Sequence, residues 1–347
     1  MGAGRPKEDK SVRLRLKPDE LELVENFRRI KKESIEAGVN PNDVKHGWLK
    51  TDKSSLFFTN PTYKAEEKDK FVKDLVASLI DHSPSYTKIQ RKKVKNGHCL
   101  VIDPADVHIG KLCSALETEE YNSSIAVKRV KEGVEGILSK SNGFNIDKIV
   151  FIGGNDILHI DTPKRTTTSG TPQDTDGMWY ENFLDAKRLY VEVLEMLLSV
   201  ADVHFVYNPS NHDYMTGFML ADVIKTHFRR SKNITFDTSI KHRKYTKYGS
   251  NLIGSTHGDG AKNQDLPLLM ATEVPQQWSE TKYRYVHTHH VHHKVSKDYI
   301  GVTVEALRSP SGTDSWHDRN GYTSKKAIEG FIHSKDNGQV ARITHYF

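Results

Sequence analysis

Five apolar, strand-like segments of this chain are each followed closely by carboxylate, amide or imidazole side chains, and this pattern constrains the fold more than any other feature. The five segments are CLVID, KIVFIGG, VHFVYNPS, NLIGST and YRYVH. Segments with apolar residues at helical spacing separate the first four of them: SSIAVKRVKEGVEGIL, ENFLDAKRLYVEVLEMLLSV and FMLADVIKTHFRRS. Strands that alternate with helices in this way indicate an α/β layered domain.

The polar side chains at the strand ends form an ordered set. In chain order they are Asp106 and His108, Asn155-Asp156 with His159, Asn211-His212-Asp213, His257, and the tract His287–His293. In open α/β sheets, sites form beyond the carboxyl ends of the strands, so we expect these side chains to converge. Intervals of 50, 55 and 46 residues from Asp106 to Asp156, to Asn211 and to His257 leave room for one crossover connection each.

This ordered set resembles the calcineurin-like metallophosphoesterase superfamily, whose pattern is Asp-x-His, Gly-Asp, Gly-Asn-His-Asp or Glu, His, and Gly-His-x-His. The resemblance covers about residues 98–308. It implies a four-layer α-β-β-α sandwich of two mixed sheets, with a dinuclear metal site at the strand C-terminal ends and a small N-terminal accessory region. The chain departs from the pattern at two positions, because Asn155 precedes Asp156 and Ser210 precedes Asn211 where the family usually has Gly.

The resemblance also implies two divalent metal ions, for which we expect Mn, with Fe, Zn and Mg as alternatives. Asp156 would bridge both ions. The first ion would be held by Asp106, His108 and one histidine of the final tract. The second would be held by Asn211, His257 and the other histidine. Only Cys99 and Cys113 could supply thiolate, and their apolar neighbours indicate buried, reduced thiols instead.

The final histidine tract leaves the last two ligands open between two pairs. Side chains two residues apart on an extended segment face the same way, and the pairs His287/His289 and His290/His292 have opposite parity. Only one pair can therefore face the metals if the backbone stays extended. We favour His290 and His292, because their spacing from His257 better resembles the DNA-nuclease branch of the family.

The resemblance assigns roles to residues beside the ligands. A hydroxide held between the metals would attack phosphorus. His212 would contact the phosphate and protonate the leaving oxygen, and Asp213 would orient His212. His159 stands where the branch that processes DNA ends carries a histidine, although a surface or structural histidine would also fit there.

A polar, Thr- and Gly-rich segment at 161–179 is predicted to form a mobile loop over the site. Lys164 and Arg165 in it are candidates for contact with a phosphodiester backbone, and solvated loop charges are the alternative. Near the C-terminus, Trp316 could stack on a base or pack under the terminal segment. The combination of HHVHHK, VEALRSP and DSWHDRNGY looks like phage- or prophage-encoded members of the family that are described as DNA exonucleases.

The first part of the chain carries the positive charge. Residues 1–100 hold 22 Lys and Arg against 15 Asp and Glu, whereas residues 101–347 hold 29 against 30. We therefore interpret 1–95 as a basic accessory region that could bind nucleic acid and 96–347 as the phosphoesterase domain. Helices are predicted after Asp19 and across Lys64–Ile80, with a basic linker at Lys88–Lys95.

Together these features predict a metal-dependent phosphoric ester hydrolase that acts on DNA as a nuclease. A phosphomonoesterase or a cyclic-nucleotide phosphodiesterase remains the alternative, and a nucleic-acid-binding protein with a degenerate metal site is a third. A mean hydropathy of −0.63 and the lack of a long apolar run argue against a membrane partner. The polar N-terminus lacks the apolar core of a secretory signal, so we expect a cytoplasmic protein, in the host if phage-encoded. A homodimer is left open.

Overall fold

The computed structural model describes residues 17–36, 38, 45–50, 55–59, 84–92 and 94–347. The chain divides into two units, Met1–Ser83 and Pro84–Phe347. In the first unit, helix α1 (Pro18–Glu36) agrees with the predicted helix after Asp19, and strands β1 (His46–Lys50) and β2 (Ser55–Thr59) form an antiparallel hairpin. The predicted helix across Lys64–Ile80 lies outside the described residues.

A six-stranded mixed sheet in the second unit has the order β13-β12-β3-β4-β5-β6. Strands β3, β4, β5 and β6 are parallel, and β12 and β13 add antiparallel strands beside β3. The strand bounds are β3 His98–Asp103, β4 Ile146–Gly154, β5 Asp202–Asn208, β6 Ile234–Asp237, β12 Ala327–Ser334 and β13 Gly338–Tyr346.

A second, five-stranded sheet has the order β10-β11-β9-β8-β7 and is also mixed. The central strands β8, β9 and β11 are parallel, whereas β7 and β10 are antiparallel to their neighbours. The bounds are β7 Lys244–Tyr248, β8 Asn251–Ser255, β9 Tyr283–Thr288, β10 Val295–Tyr299 and β11 Val302–Ala306.

Helices cover the outer faces of both sheets. Helices α2 (Ser123–Lys140), α3 (Trp179–Val200) and α4 (Tyr214–His227) pack their apolar faces on the six-stranded sheet. The buried face of α2 carries Ala126, Val130, Val134 and Ile137, at helical spacing. Helices α5 (Leu266–Glu273) and α6 (Pro275–Ser279) pack on the five-stranded sheet, with Met270 fully buried there.

The two sheets pack face to face through a shared apolar layer. Val101, Val150 and Phe331 of the first sheet meet Tyr248 and Ile253 of the second. The predicted four-layer α-β-β-α sandwich of two mixed sheets is therefore confirmed, as are the predicted strands and helices that precede each polar motif. Sequence reasoning missed the antiparallel edge strands and the short helices α5 and α6.

The segment that begins at Pro84 and includes the predicted basic linker belongs to the second unit and packs on the rest of it. Tyr86 stacks on Phe228 at a ring separation of 5.0 Å, and the amide of Ile89 donates to Asn233 Oδ1 at 2.8 Å. Arg91 pairs with Asp202 at 2.8 Å. Within the described ranges, none of the helices has the length and apolar content that a membrane crossing needs.

Candidate metal centre

The loops that follow β3 and β4 lie side by side and carry the two central carboxylates, Asp106 and Asp156. The amide of Asp106 donates to the carbonyl of Asn155 at 2.8 Å, and the amide of His108 donates to the carbonyl of Asp156 at 2.9 Å. Both carboxylate residues are at most 1% exposed. The strand-end positions thus converge as the sequence predicts.

Backbone strain is concentrated at these two loops and at the loop that follows β9. Six residues of the region have left-handed backbone, with φ between 51° and 70°: Asp106, His108, Asn155, Asp156, His290 and His292. Residues other than glycine rarely adopt this conformation, and it tends to persist where surrounding structure holds a functional group in place. Five of the six are predicted metal ligands, and the sixth is the neighbour of one.

A first cluster joins Asp106, His108 and His292. One ligand atom from each lies within 4.8 Å of the others. His292 Nε2 is 3.3 Å from His108 Nε2 and 3.8 Å from Asp106 Oδ1. Burial lowers the pKa of His108 and His292 well below the usual range. Both imidazoles are therefore neutral, which is the form that binds a metal ion.

A second cluster joins Asp156, His257 and His290, and Asn211 extends it. His257 Nε2 is 2.8 Å from Asn211 Oδ1 and 3.2 Å from Asp156 Oδ2. The ring of His290 is 5.1 Å from that of His257. Burial works to lower the pKa of His257, but the negative charge and hydrogen bond of Asp156 outweigh it and raise the pKa to about 9.

The electrostatics of the two clusters fit bound cations. Burial raises the pKa of Asp106 to about 7, and the charge of Asp156 contributes to the rise, although nearby histidines oppose it. Burial also works against the ionised form of Asp156, but His257 and His212 outweigh it and hold its pKa well below the usual range. Among the described residues, the buried Nδ1 of His257 has no hydrogen-bond partner. A dication would balance the adjacent carboxylates, and the oxygen and imidazole donor set suits Mn, Fe or Zn.

The histidine tract divides between two environments. His290 and His292, the favoured pair, lie in the two clusters. His287 and His289 turn to Asp103, with His287 Nδ1 at 3.5 Å and His289 Nε2 at 3.0 Å from its carboxylate oxygens. On an extended backbone only one pair could face the metals. Strand β9 ends at Thr288, however, and the left-handed backbone at His290 and His292 places the side chains of this second pair in the two clusters.

His212 and His159 lie beside the clusters, and with His108 they form a third group of converging histidines. The rings of His159 and His212 stack at 5.3 Å and 20°. His212 Nδ1 is 2.9 Å from the carbonyl oxygen of His159, and the amide of His212 donates to Asp156 Oδ1 at 2.9 Å. Because a carbonyl oxygen only accepts, Nδ1 carries the proton and Nε2 is left for a substrate.

Asp213 has a different place from the one predicted. Its carboxylate accepts from the amide of Leu158 at 2.9 Å and from Ser210 Oγ at 2.6 Å, so the carbonyl of His159 replaces it as the group that orients His212. Burial, with the charge of Asp156, raises the pKa of Asp213 to about 7. Asp213 therefore holds the two ligand-bearing loops together.

The two departures from the family pattern have physical explanations. Asn155 has a φ of 51°, and asparagine is among the few residues that adopt left-handed backbone where glycine is expected. Ser210 uses the hydroxyl that glycine lacks: it accepts from the amide of Asp156 at 2.7 Å while it donates to Asp213. Neither residue disturbs the convergence of the ligands.

Members of both clusters line the floor of a cleft of about 690 Å³, namely His108, Asp156, Asn211, His290 and His292. One wall is the predicted loop, at Thr167–Asp174, and the other includes Asp314–His317 and Tyr322. Asp161 anchors the loop wall, because its carboxylate accepts from the amides of Met215 and Thr216 at the start of α4.

Lys164 and Arg165 are exposed and lie outside the lining of the cleft. They make no contact with the floor, and their contact with a phosphodiester backbone stays a prediction. In the opposite wall, the sequence singles out only Trp316, as a residue that could stack on a base. No sequence signal joined this wall to Lys111, which is buried and pairs with Asp314 at 2.9 Å.

The thiols are absent from the site, as expected. Cys99 lies in the apolar layer between the sheets, and Cys113 lies in the core under the helices. Burial raises the pKa of Cys99 to about 12 and that of Cys113 to about 11. Both are free thiols, so the candidate centre is built without sulfur.

No protein-family model and no curated protein matches the chain. Solved structures do match it over 72% of its length. They include an archaeal phosphodiesterase (9% identity, TM-score 0.34, 99% of that chain covered), Vps29 of Chaetomium thermophilum (11%, 0.31, 95%) and the hypothetical protein PH1004 of Pyrococcus horikoshii OT3 (11%, 0.35, 87%). At these values no role is transferred from those proteins to this chain.

Proposed function

We propose that the protein is a phosphoric ester hydrolase that uses two divalent metal ions, and that its substrate is DNA. One observation carries the proposal: two groups of carboxylate and imidazole ligands are centred on Asp106 and Asp156, and members of both groups line the floor of one cleft. Their backbone is held in strained conformations that a purely structural loop would not need.

The residues present divide into two ligand sets. Asp106, His108 and His292 would hold one ion, and Asn211, His257 and His290 would hold the other. Asp156 would serve both. Two such ions supply positive charge that activates water and stabilises the attacking and leaving oxygens of an in-line displacement at phosphorus.

His212 supplies the acid–base chemistry of the chain. Its Nδ1 is fixed by the carbonyl of His159, and its amide is fixed by Asp156, so the imidazole is held from two sides. When His212 is doubly protonated, Nδ1 keeps its proton on the carbonyl, and Nε2 donates the second proton to a phosphate oxygen as a hydrogen bond and then transfers it to the leaving oxygen. His159 stacks on it and restricts its rotation.

DNA is proposed as the substrate for two reasons. His159 lines the cleft at the position that the DNA-end-processing branch of the resembled family fills with histidine. The surplus of positive charge in residues 1–100 favours association with a polyanion. A basic accessory region would then add affinity that does not depend on the sequence of the DNA.

A cleavage assay tests the proposal. The protein is loaded with Mn²⁺ and incubated with single-stranded, nicked and blunt double-stranded DNA, with EDTA as the metal-free control. We expect metal-dependent cleavage of at least one substrate. A fully metallated protein that cleaves none of them would refute DNA as the substrate.

Two substitutions separate metal binding from proton transfer. Asp156→Asn should remove most activity and lower the metal content, because the shared carboxylate charge is lost. His212→Asn should slow hydrolysis by about 100-fold or more and leave the metal content unchanged, since general acid–base catalysis contributes about 10²–10⁴-fold. Elemental analysis with steady-state kinetics measures both. Equal loss of metal in the two variants would contradict the role of His212.

The size of the cleft supports a second candidate, a phosphomonoesterase or cyclic-nucleotide phosphodiesterase. A volume of about 690 Å³ lies within the ~300–1,000 Å³ range that small ligands occupy. This candidate predicts turnover of small phosphate esters without measurable DNA binding at moderate salt. Comparison of both substrate classes in one metal-loaded preparation distinguishes them.

A further inference from the structure

We propose that Trp316 and Tyr322 form a stacking shelf for a nucleobase at the rim of the cleft. Trp316 is 61% exposed and Tyr322 is 54% exposed, and both line the cleft. The inference rests on the proposed function and adds the part of the substrate that this wall recognises. It replaces the alternative in which Trp316 packs under the terminal segment.

A continuous series of rings joins the candidate metal ligands to the rim. His317 stacks on His292, with ring centroids 5.1 Å apart and planes within 13°. The indole of Trp316 meets the edge of His317 at 5.0 Å, and the ring of Tyr322 lies 5.7 Å from Trp316. The shelf is therefore two ring contacts from His292 of the first ligand cluster.

The shelf is held in place by an ion pair between Asp314 and a buried lysine. Helix α7 (Ser315–Arg319) begins after Asp314, whose Oδ1 accepts from the amide of His317 at 2.8 Å and lies 2.7 Å from His317 Nδ1. The Oδ2 of Asp314 pairs with Lys111, which is 2% exposed. The amide of Tyr322 donates to the carbonyl of His317 at 2.8 Å. The carboxylate of this wall is thus fully engaged, and the wall presents aromatic faces.

A nucleotide matches the two chemistries that the cleft brings together. The floor carries ligands suited to cations that bind a phosphoester, and the rim carries a large, rigid aromatic surface exposed to solvent. Bases stack on such surfaces irrespective of their sequence, because each base has a π-face. A phosphate ester without a planar group would leave the shelf uncovered.

Two esters with the same non-planar leaving group test the shelf: thymidine 5′-(2,2,2-trifluoroethyl phosphate) and methyl 2,2,2-trifluoroethyl phosphate, with the Mn²⁺-loaded full-length protein and release of trifluoroethanol as the readout. Trp316→Ala should lower kcat/KM for the thymidine ester by about tenfold or more, chiefly through KM, and leave the methyl ester within about twofold. Trp316→Phe should recover part of the loss. Trp179→Ala is the matched control, because Trp179 is 43% exposed and lies outside the cleft lining.

A binding measurement separates this inference from the proposed hydrolysis. By calorimetry, the wild-type protein should bind thymidine 5′-monophosphate more tightly than inorganic phosphate, and Trp316→Ala should abolish the difference. Equal losses for both esters, or equal binding of both phosphates by the wild type, would overturn the shelf. Failure of the proposed function is read from the DNA cleavage assay, and the two phosphates decide separately whether the shelf binds a base.

Discussion

Two pairs of histidines from one short tract end in contrasting environments. His287 and His289 are at most 2% exposed and face the buried carboxylate of Asp103, with His289 Nδ1 3.0 Å from the carbonyl of Thr256. His290 and His292 lie on left-handed backbone and face the cleft, beside Asp156 and Asp106 respectively.

The difference shows how a strand end can serve two purposes. The inner pair, His287 and His289, lies at the end of β9 and fixes the chain inside the protein, between the two sheets. The outer pair, His290 and His292, lies beyond the end of the strand. The alternation of side chains along a strand therefore does not determine which way these two side chains face. The amide of His290 also donates to both oxygens of Asp106, at 3.2 and 3.1 Å. The inner pair thus fixes the position of the backbone, and the outer pair supplies the proposed metal ligands.

The largest effect should come from the outer pair. We expect His290→Ala and His292→Ala to lower activity by at least about 100-fold and to reduce the metal content, because each removes a proposed ligand, and loss even of a group that only supports a ligand costs about 10–100-fold. His293→Ala is the control, since His293 borders the cleft but belongs to none of the three ligand groups. Metal content equal to wild type in both ligand variants would break the assignment.

Substitution in the inner pair should act on stability first. His289→Ala leaves Asp103 buried without its closest partner, and loss of one partner of a buried pair costs about 3–5 kcal/mol. Urea unfolding in EDTA measures this without metal. His289→Asn, which keeps a hydrogen-bonding group, should cost less. A loss below about 1 kcal/mol for the alanine variant would mean that the inner pair is not an anchor.

The ion pair between His289 and Asp103 predicts that the stability of the metal-free protein depends on pH. Burial opposes both charges, yet mutual attraction raises the pKa of His289 and lowers that of Asp103. The stabilisation by Asp103 is present above its unfolded pKa of about 3.9 and is lost as pH falls. The stabilisation by His289 is present below its unfolded pKa of about 6.5 and is lost as pH rises through the folded value.

The contribution of this pair is therefore largest between about pH 4 and 6.5. Unfolding free energies across this range, compared between the wild type and His289→Asn, give the difference due to the pair. We expect the difference to shrink on both sides of the window. A difference that does not vary with pH would show that His289 and Asp103 are not paired as charged groups.

Apolar periodicity and parallel strand ends were sufficient to predict an α/β layered domain and the convergence of the strand-end residues, whereas the four-layer sandwich was implied by the family resemblance. The sequence could not resolve the histidine register, since this depends on left-handed backbone at His290 and His292 that no local preference requires. The engagement of Asp213 with Leu158, and of Lys111 with Asp314, joins residues distant in the chain. Contacts of this kind follow from packing and leave no periodic signal.

The smallest effects should come from substitutions at the two departures from the family pattern, Asn155 and Ser210. They test whether the neighbouring proposed ligands, Asp156 and Asn211, tolerate change beside them. Ser210→Gly removes a hydroxyl that makes two hydrogen bonds, so the unfolding free energy should fall by about 1–2 kcal/mol while metal content is kept. Asn155→Gly should have a smaller effect. Glycine accepts a φ of 51° without strain, and it removes a buried amide that has no hydrogen-bond partner among the described residues.

Asn155→Ala is the matched comparison, because alanine lacks the tolerance of glycine for left-handed backbone. We expect it to be less stable than Asn155→Gly by about 1 kcal/mol. Thermal unfolding of the two variants, with metal content measured in parallel, decides between backbone conformation and side-chain chemistry at this position. If alanine and glycine behave alike, the left-handed conformation is not what Asn155 supplies.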